Sequence, residues 1–207
     1  SIDINSIDKI SIIKGASSLK YAGDAVGGVI IAETSKEKLL DSIYGNVTTN
    51  LQSNGRGGGI STDYTKTHSS GWYYKFQGTL KRMGDFETPN YVMTNTGFSE
   101  HNLSLKAGLN RIDHGFDVYY SLFSNYLGIL RSSHAHTAID IINAIENEVP
   151  HIIEDFSYDI NIPRQKISHN LLKLRGFKNF DFGKFSMKYD FQSNDRKEYD
   201  IRRGDRT

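Results

Sequence analysis

The chain has 207 residues, of which 37% are hydrophobic and 12% aromatic, an unusually low apolar content for a packed soluble core so rich in Tyr and Phe. Its 25 basic and 24 acidic residues leave a formal net charge of +1, which excludes the basic excess of a nucleic-acid-binding protein. The absence of cysteine excludes disulfide scaffolds, thiol nucleophiles and thiolate metal sites.

The first elements of the chain are short. Alternating polar and apolar residues predict a strand that ends at Lys14-Gly15. A helical turn follows, with Ser17 as its N-cap and Gly23 as the residue that stops it. The β-branched run at residues 29–31 predicts a second strand. The longest strongly apolar stretch, residues 26–32, falls far short of the about 20 residues that a membrane-spanning helix needs.

From residue 40 onward, polar and apolar residues alternate in segments of about ten residues separated by turn signals. They predict about seven strands, at residues 42–51, 58–66, 73–81, 102–110, 116–123, 168–177 and 184–192. Short and long connections take turns, and the longest insertion covers about residues 128–167. This insertion contains one predicted short helix, with Thr137 as N-cap, Asp140 three residues on and Ile141, Ile142 and Ile145 at helical spacing.

The alternation favours a transmembrane antiparallel β-barrel over a soluble β-sandwich, which alternates in the same way. The polar positions carry charges in mid-strand, as a water-filled lumen allows, at Lys75, Lys106, Lys184, Lys188 and Asp190. The apolar positions are rich in aromatic residues near the strand ends, as interfacial girdles require. Seven strands cannot close such a barrel, because about eight are the minimum. We therefore expect a partial barrel within a longer protein.

Residues 7–30 combine a strand ending in a basic residue and glycine, a short run of small residues, an aromatic residue and a glycine pair. The positions that carry this pattern are Lys14, Gly15, Tyr21, Gly23, Asp24, Gly27 and Gly28. The string resembles the end of the plug domain in TonB-dependent outer-membrane receptors, in the form found in Bacteroidetes-type bacteria. Ala22 departs from it, since many members have Gly directly after the Tyr. The resemblance implies that residues 1–36 are the C-terminal part of an α+β plug domain. Residues 37–207 would be the first strands of a barrel of about 22, with an extracellular loop at about 128–167.

The resemblance also implies a function. Such receptors lie in the outer membrane of Gram-negative bacteria and import a scarce solute without covalent chemistry, so neither an enzyme activity nor a cofactor is expected. The partners would be outer-membrane lipid, an extracellular small ligand such as a metal chelate, and the TonB energy-coupling complex, contacted by a segment upstream of Ser1. An iron-siderophore complex is the most frequent ligand class in the family, and cobalamin, haem and oligosaccharide stay open.

Four residues in or beside the long insertion are the candidate ligand contacts: Arg131, His134, His136 and Arg164. Their cationic or imidazole side chains would contact a bulky ligand, such as a chelated metal. No metal site is predicted, and a Ser-His-Asp set assembled around His134 lacks a nucleophile elbow. The competing hypothesis is a soluble β-sandwich binding or adhesion module. An enzyme barrel, such as an outer-membrane protease or lipase, is a third, and the missing catalytic set counts against it.

Overall fold

The computed structural model describes residues 3–7, 9–21, 27–33, 40–133, 141–142, 145–147, 149–150 and 152–200. The chain is all-β, as the sequence predicts, with three antiparallel sheets. None of the described helices is long and apolar enough to cross a membrane.

The N-terminal unit consists of a two-stranded sheet and two 3₁₀ helices. The elements in chain order are η1 (Ile4–Ser6), β1 (Lys9–Ile13), η2 (Gly15–Lys20) and β2 (Val29–Glu33). The predicted strand and helical turn are confirmed, but the predicted N-cap is wrong. Lys14 precedes η2, and the hydroxyl of Ser17 inside the helix donates to the Lys14 carbonyl oxygen at 3.1 Å. Gly23 and Asp24 lie outside the described residues.

The glycines of the predicted plug motif differ in what they do. Gly28 has a φ of +118°, and a Cβ there would lie 2.7 Å from the carbonyl oxygen of Ile13, where β1 and β2 meet. Gly15 also has a positive φ, of +73°. Gly27 has neither a positive φ nor any atom within 4 Å of a Cβ. The backbone therefore requires glycine at position 28 but not at position 27.

A seven-stranded antiparallel sheet forms the rest of the fold, and the predicted number of strands is confirmed. Its strands are neighbours in chain order, so the sheet is a simple meander with the order β11-β10-β9-β8-β5-β4-β3. The strands are 11 to 17 residues long. Their bounds are β3 (Ser42–Gln52), β4 (Gly57–Thr67), β5 (Trp72–Met83), β8 (Phe98–Asn110), β9 (His114–Gly128), β10 (Arg164–Phe180) and β11 (Gly183–Tyr199).

The two ends of this sheet differ in their connections. One end, the short-turn rim, has only the segments 68–71, 111–113 and 181–182. The other, the long-loop rim, carries the turn 53–56 and the long segments 84–97 and 129–163. Segment 84–97 contains the small hairpin β6 (Phe86–Glu87) and β7 (Val92–Met93). The alternation of short and long connections follows the predicted pattern.

The long insertion begins as predicted but is shorter, because β10 already starts at Arg164. It opens with a 3₁₀ turn, η3 (Arg131–Ser133). Residues 141–142 and 145–146 are α-helical, in line with the predicted helix, whereas its N-cap Thr137 and Asp140 lie outside the described residues.

In an ordinary soluble protein, the apolar face of a sheet is buried and its polar face meets water. The seven-stranded sheet has the opposite arrangement. Directly paired residues of antiparallel strands share a face, so the strand register assigns every side chain to one of two faces. The polar face is buried in the central strands, at Thr65, Thr67, Gln77, Thr79, Asn102 and Ser104. Its side chains on the edge strands β3 and β11 are largely exposed. The apolar face is exposed across the whole sheet. Its exposed side chains are Ile43, Val47, Leu51, Ile60, Tyr64, Trp72, Tyr74, Phe76, Leu80, Leu105, Phe116, Val118, Tyr120, Phe185, Met187, Tyr189 and Phe191.

Replacing Gly28 with Ala should destabilise the β1–β2 sheet by about 1–3 kcal/mol, because the new side chain meets both an unfavourable φ and the Ile13 carbonyl oxygen. Gly27→Ala is the matched control, since it adds the same methyl group one residue away in open space. Amide hydrogen exchange of β1 and β2 in the full-length protein measures the difference. Equal protection in the two variants would contradict this account.

Candidate functional site

The N-terminal unit contacts the polar face of the sheet through a buried carboxylate. Asp3 is 7% exposed, and its Oδ2 accepts a hydrogen bond from Nε2 of Gln77 in β5 at 2.8 Å. The backbone N–H of Asn5 donates to Oδ1 at 3.0 Å, and the Asn5 side chain reaches Thr79 Oγ1 at 3.4 Å. Nε2 of Gln77 also donates a hydrogen bond to Oγ1 of Thr79 at 2.7 Å. The contact between the unit and the sheet is thus a hydrogen-bond network on β5.

This network controls the ionisation of Asp3. Burial raises the pKa of the Asp3 carboxyl group, but hydrogen bonds from Thr79, Gln77, Asn5 and Asn102 together outweigh burial and hold the pKa below its usual value of 3.8. Asp3 is therefore a carboxylate at neutral pH. A charged acceptor with several donors makes stronger hydrogen bonds than a neutral one.

A gap of about 530 Å³ separates the rest of the N-terminal unit from the sheet. Ser6, Ile7 and residues 31–33 line one side of this polar-face gap. The sheet side carries four cationic groups and one carboxylate, from Lys106, Lys173, Arg175, Lys188 and Asp117. The gap is therefore polar, and its sheet side has an excess of positive charge.

A second polar cluster lies on the same face, closer to the long-loop rim. Nζ of Lys81 contacts Oε1 of Glu100 at 2.8 Å, and Nδ2 of Asn102 donates to the same oxygen at 2.8 Å. Nδ2 of Asn125 donates to the other carboxylate oxygen at 3.4 Å. Oδ1 of Asn102 and Oδ1 of Asn125 are buried and accept no hydrogen bond from the described residues. The cluster holds a partly buried ion pair on the polar face.

The loops of the long-loop rim are joined to one another through buried side chains. Asp85 is 2% exposed, and its carboxylate accepts from the N–H groups of Thr96 at 2.8 Å and Ser157 at 3.2 Å. Nδ2 of Asn95 donates to the carbonyl oxygens of Ile129 and Pro163 at 2.9 and 2.7 Å. Segments 84–97 and 152–163 therefore form one connected layer.

Arginines and aromatic residues extend this layer to the turn 53–56. Arg56 contacts Glu87 at 2.5 Å, and its guanidinium lies 4.1 Å from the centre of the Phe156 ring. The hydroxyl of Tyr158 donates to the carbonyl oxygen of Arg56 at 2.5 Å. The guanidinium carbon of Arg82 lies over the same Tyr158 ring, 5.8 Å from its centre. The rim thus presents guanidinium groups held on aromatic rings.

The four sequence-predicted ligand residues are not brought together by the described contacts. Arg131 pairs with Glu154 at 2.9 Å. Arg164 lies between the rings of Tyr126 and Tyr199, at 5.4 and 5.0 Å, and the register assigns it to the apolar face. His134 and His136 lie outside the described residues, so a ligand role for these four residues stays a prediction.

The described acidic and histidine side chains bear on whether the site could hold a metal ion. Within the described part of the chain, no three His, Asp or Glu side chains are grouped as a metal ion would require.

Comparison with models of known protein families, with curated proteins and with solved structures gave no match for this chain. The proposed function therefore rests on the geometry of the sheet and its rims.

Sequence reasoning missed Asp3, Asp85 and Asn95, and also Arg56 and Arg82 at the rim. Asp3 and its partner Gln77 are 74 residues apart, and Asp85 and Ser157 are 72 apart. No local pattern marks such pairs. The one available signal was the position of Asp85 and Asn95 in a long polar connection between two strongly alternating strands.

Asp3→Asn should loosen residues 3–7 from the polar face, because the neutral amide loses charged hydrogen bonds worth about 1.5–3 kcal/mol in total. Since the pKa of Asp3 is lowered, its contribution is present above pH 3.8 and disappears as the pH falls below that value through the lowered pKa. A spin label on Ser6→Cys, in a chain that has no other cysteine, reports the motion by electron paramagnetic resonance.

The matched control is Asp113→Asn, which removes the same charge at the short-turn rim. It should leave the label on residue 6 as immobile as in the parent protein. If the parent and Asp3→Asn proteins show the same mobility at every pH, Asp3 does not anchor the unit.

Proposed function

We propose that this chain is the junction between plug and wall of a TonB-dependent outer-membrane receptor, which imports a scarce anionic solute such as an iron-siderophore complex. The carrying observation is the polarity of the sheet, whose apolar face is exposed and whose polar face is buried in the central strands. A sheet with this polarity fits a wall between lipid and an aqueous interior.

The distribution of charge supports a lipid-facing apolar side. The charged residues of the apolar face lie near strand ends, at Lys66, Arg82, Arg164, Lys166, Lys178, Asp195 and Lys197. The polar face carries charges in mid-strand, including Lys75, Lys106, Lys173, Arg175 and Asp190. A charged side chain at the bilayer midplane costs about 2–4 kcal/mol, and this cost falls near the interfaces. The apolar face of the sheet avoids this cost, because its charged residues lie near strand ends. The polar face, which carries charges in mid-strand, does not.

Connectivity and coverage support the same proposal. Outer-membrane barrels are antiparallel meanders with short turns at one rim and longer loops at the other, and this sheet has both features. The N-terminal unit lies against the polar face, which is where a plug contacts the inside of its wall. Its anchor is a set of hydrogen bonds around Asp3. Water can replace such bonds, so traction from an inner-membrane energy-coupling complex can displace the unit.

The soluble β-sandwich is less consistent with the exposure of the faces. In a sandwich, the apolar faces of two sheets pack together and the polar faces meet water. Here the apolar face is uncovered by the described residues, with Val47 at 68% and Leu51 at 84% exposure. A sandwich would therefore need a second sheet to bury this face.

The polar-face gap supports an anionic solute. The four cationic groups of Lys106, Lys173, Arg175 and Lys188 outnumber the three carboxylates that line the gap, those of Asp3, Glu33 and Asp117. A carboxylate- or catecholate-bearing metal chelate matches this charge better than a neutral oligosaccharide does. The gap lies between the N-terminal unit and the wall, so displacement of that unit would widen it along the polar face.

Three consecutive cysteine substitutions in β9 test whether the sheet is a membrane wall. Val118 and Tyr120 lie on the apolar face and Tyr119 on the polar face. In the full-length protein reconstituted into bilayers, spin labels at 118 and 120 should be accessible to lipid-dissolved oxygen. A label at 119 should instead be accessible to a water-soluble nickel complex. Equal accessibility to nickel at all three positions, or a protein that does not enter bilayers, would refute the proposed wall.

Uptake by a deletion strain tests the receptor function. Lys173→Gln combined with Arg175→Gln removes two cations from the gap and should lower uptake of an anionic ferric siderophore by about tenfold or more, since each lost charge contact is worth about 1.5–3 kcal/mol. Lys178→Gln is the control, because it removes a cation from the apolar face of the same strand. Unchanged uptake in the double variant, at equal surface expression, would contradict the assigned solute path.

A further inference from the structure

A groove opens on the apolar face where β3, β4, β5 and β8 meet the long-loop rim. We define this rim groove by its floor, formed by Leu51, Ile60 and Leu80, and its edge, formed by Arg82, His101 and Tyr158. The floor residues are 84%, 47% and 55% exposed. The register puts Leu51, Ile60, Leu80, Arg82 and His101 on the apolar face.

The groove exists because of two local features. Gly58 pairs with Leu51 on one side and with Arg82 on the other, so no side chain stands between them. Tyr158 comes from the long insertion and is fixed over the rim by its hydroxyl, which donates to the Arg56 carbonyl oxygen at 2.5 Å. The groove is therefore shallow and open, with an apolar floor and an aromatic residue at its edge.

Its edge carries a cation, Arg82, that no carboxylate among the described residues balances. Among the described residues, no Asp or Glu lies within ion-pair distance of Arg82, whose guanidinium rests on the Tyr158 ring. His101 faces Leu80 across the strand pair, one step from Arg82 on the same face. Arg56, by contrast, is paired with Glu87. The positive charge at the groove is thus available to an external anion.

We propose that the rim groove binds a phosphorylated lipid of the outer leaflet, with an acyl chain on Leu51, Ile60 and Leu80 and a phosphate group at Arg82 and His101. Two features identify this occupant. The floor is continuous with the exposed apolar face, which suits a hydrocarbon chain. The unbalanced guanidinium favours an anionic over a zwitterionic head group, and guanidinium matches phosphate geometry.

The inference rests on the proposed function, because only a membrane-embedded wall presents this groove to lipid. It adds a consequence for the rim. Tyr158 links the groove to the turn 53–56 and to the connected loop layer. A lipid that holds Arg82 against Tyr158 also holds that layer in place, so lipid occupancy should reduce the motion of segment 152–163.

The test uses the full-length protein purified in mild detergent, with phosphorylated lipid A as the probe and native mass spectrometry as the readout. Arg82→Gln should weaken lipid A binding by about tenfold or more, and Arg82→Lys should restore part of it. Lys178→Gln is the control, because it removes a cation from the apolar face at the other rim. Dephosphorylated lipid A should bind the parent protein as weakly as lipid A binds the Arg82→Gln variant.

The outcomes separate this inference from the proposed function. If lipid A binds the parent and Arg82→Gln proteins equally, the groove assignment is wrong, whatever the spin-label result in β9. If inorganic phosphate alone competes fully with lipid A, the site takes a free anion and the lipid assignment fails. If the β9 labels show no lipid contact, the wall itself is refuted. Strand content by circular dichroism confirms that each variant is folded.

Discussion

The structure depends on one constraint: the two faces of the seven-stranded sheet have opposite chemistry, and the N-terminal unit covers only the polar one, over the central strands. The apolar side chains therefore need an apolar partner outside the described residues, while the polar ones must be satisfied by hydrogen bonds within the chain. Asp3, Gln77 and Thr79 meet the second requirement at the centre of the sheet. This explains why a carboxylate, and not an apolar side chain, anchors the N-terminal unit.

A polar contact of this kind differs from a hydrophobic core in how it can be broken. Separating apolar surfaces exposes them to water at a cost that grows with area. Separating the Asp3 network exchanges protein hydrogen bonds for water hydrogen bonds, and each costs only about 0.5–1.5 kcal/mol net, or more where the charge takes part. In the proposed receptor, the N-terminal unit would be fixed at rest and removable under load, which is the behaviour that a transport plug requires.

The sequence was sufficient for the sheet because alternation with a period of two is a local signal that every strand repeats. It identified the seven strands and the alternation of connection lengths, and it distinguished the polar from the apolar positions. It failed where a contact joins distant residues. Residue type predicts Arg131 and Arg164 as ligand contacts, but it does not predict the pairing of Arg131 with Glu154 or the position of Arg164 between two tyrosine rings. The joined loops depend on Asp85 and Asn95, whose partners no spacing rule could supply.

The two outer strands of the sheet, β3 and β11, determine what a sheet that spans a membrane would still need. Every residue of β11 is exposed, on both faces, and β3 is exposed over most of its length. Neither outer edge has a partner strand among the described residues. In lipid, unpaired backbone groups on such an edge cost several kcal/mol each, so a spanning sheet must close on itself. The proposed wall therefore requires further strands at β3 and β11, and a larger plug surface over the polar side of β11. The central strands β5 and β8, with the Asp3 anchor, are where the N-terminal unit meets the sheet.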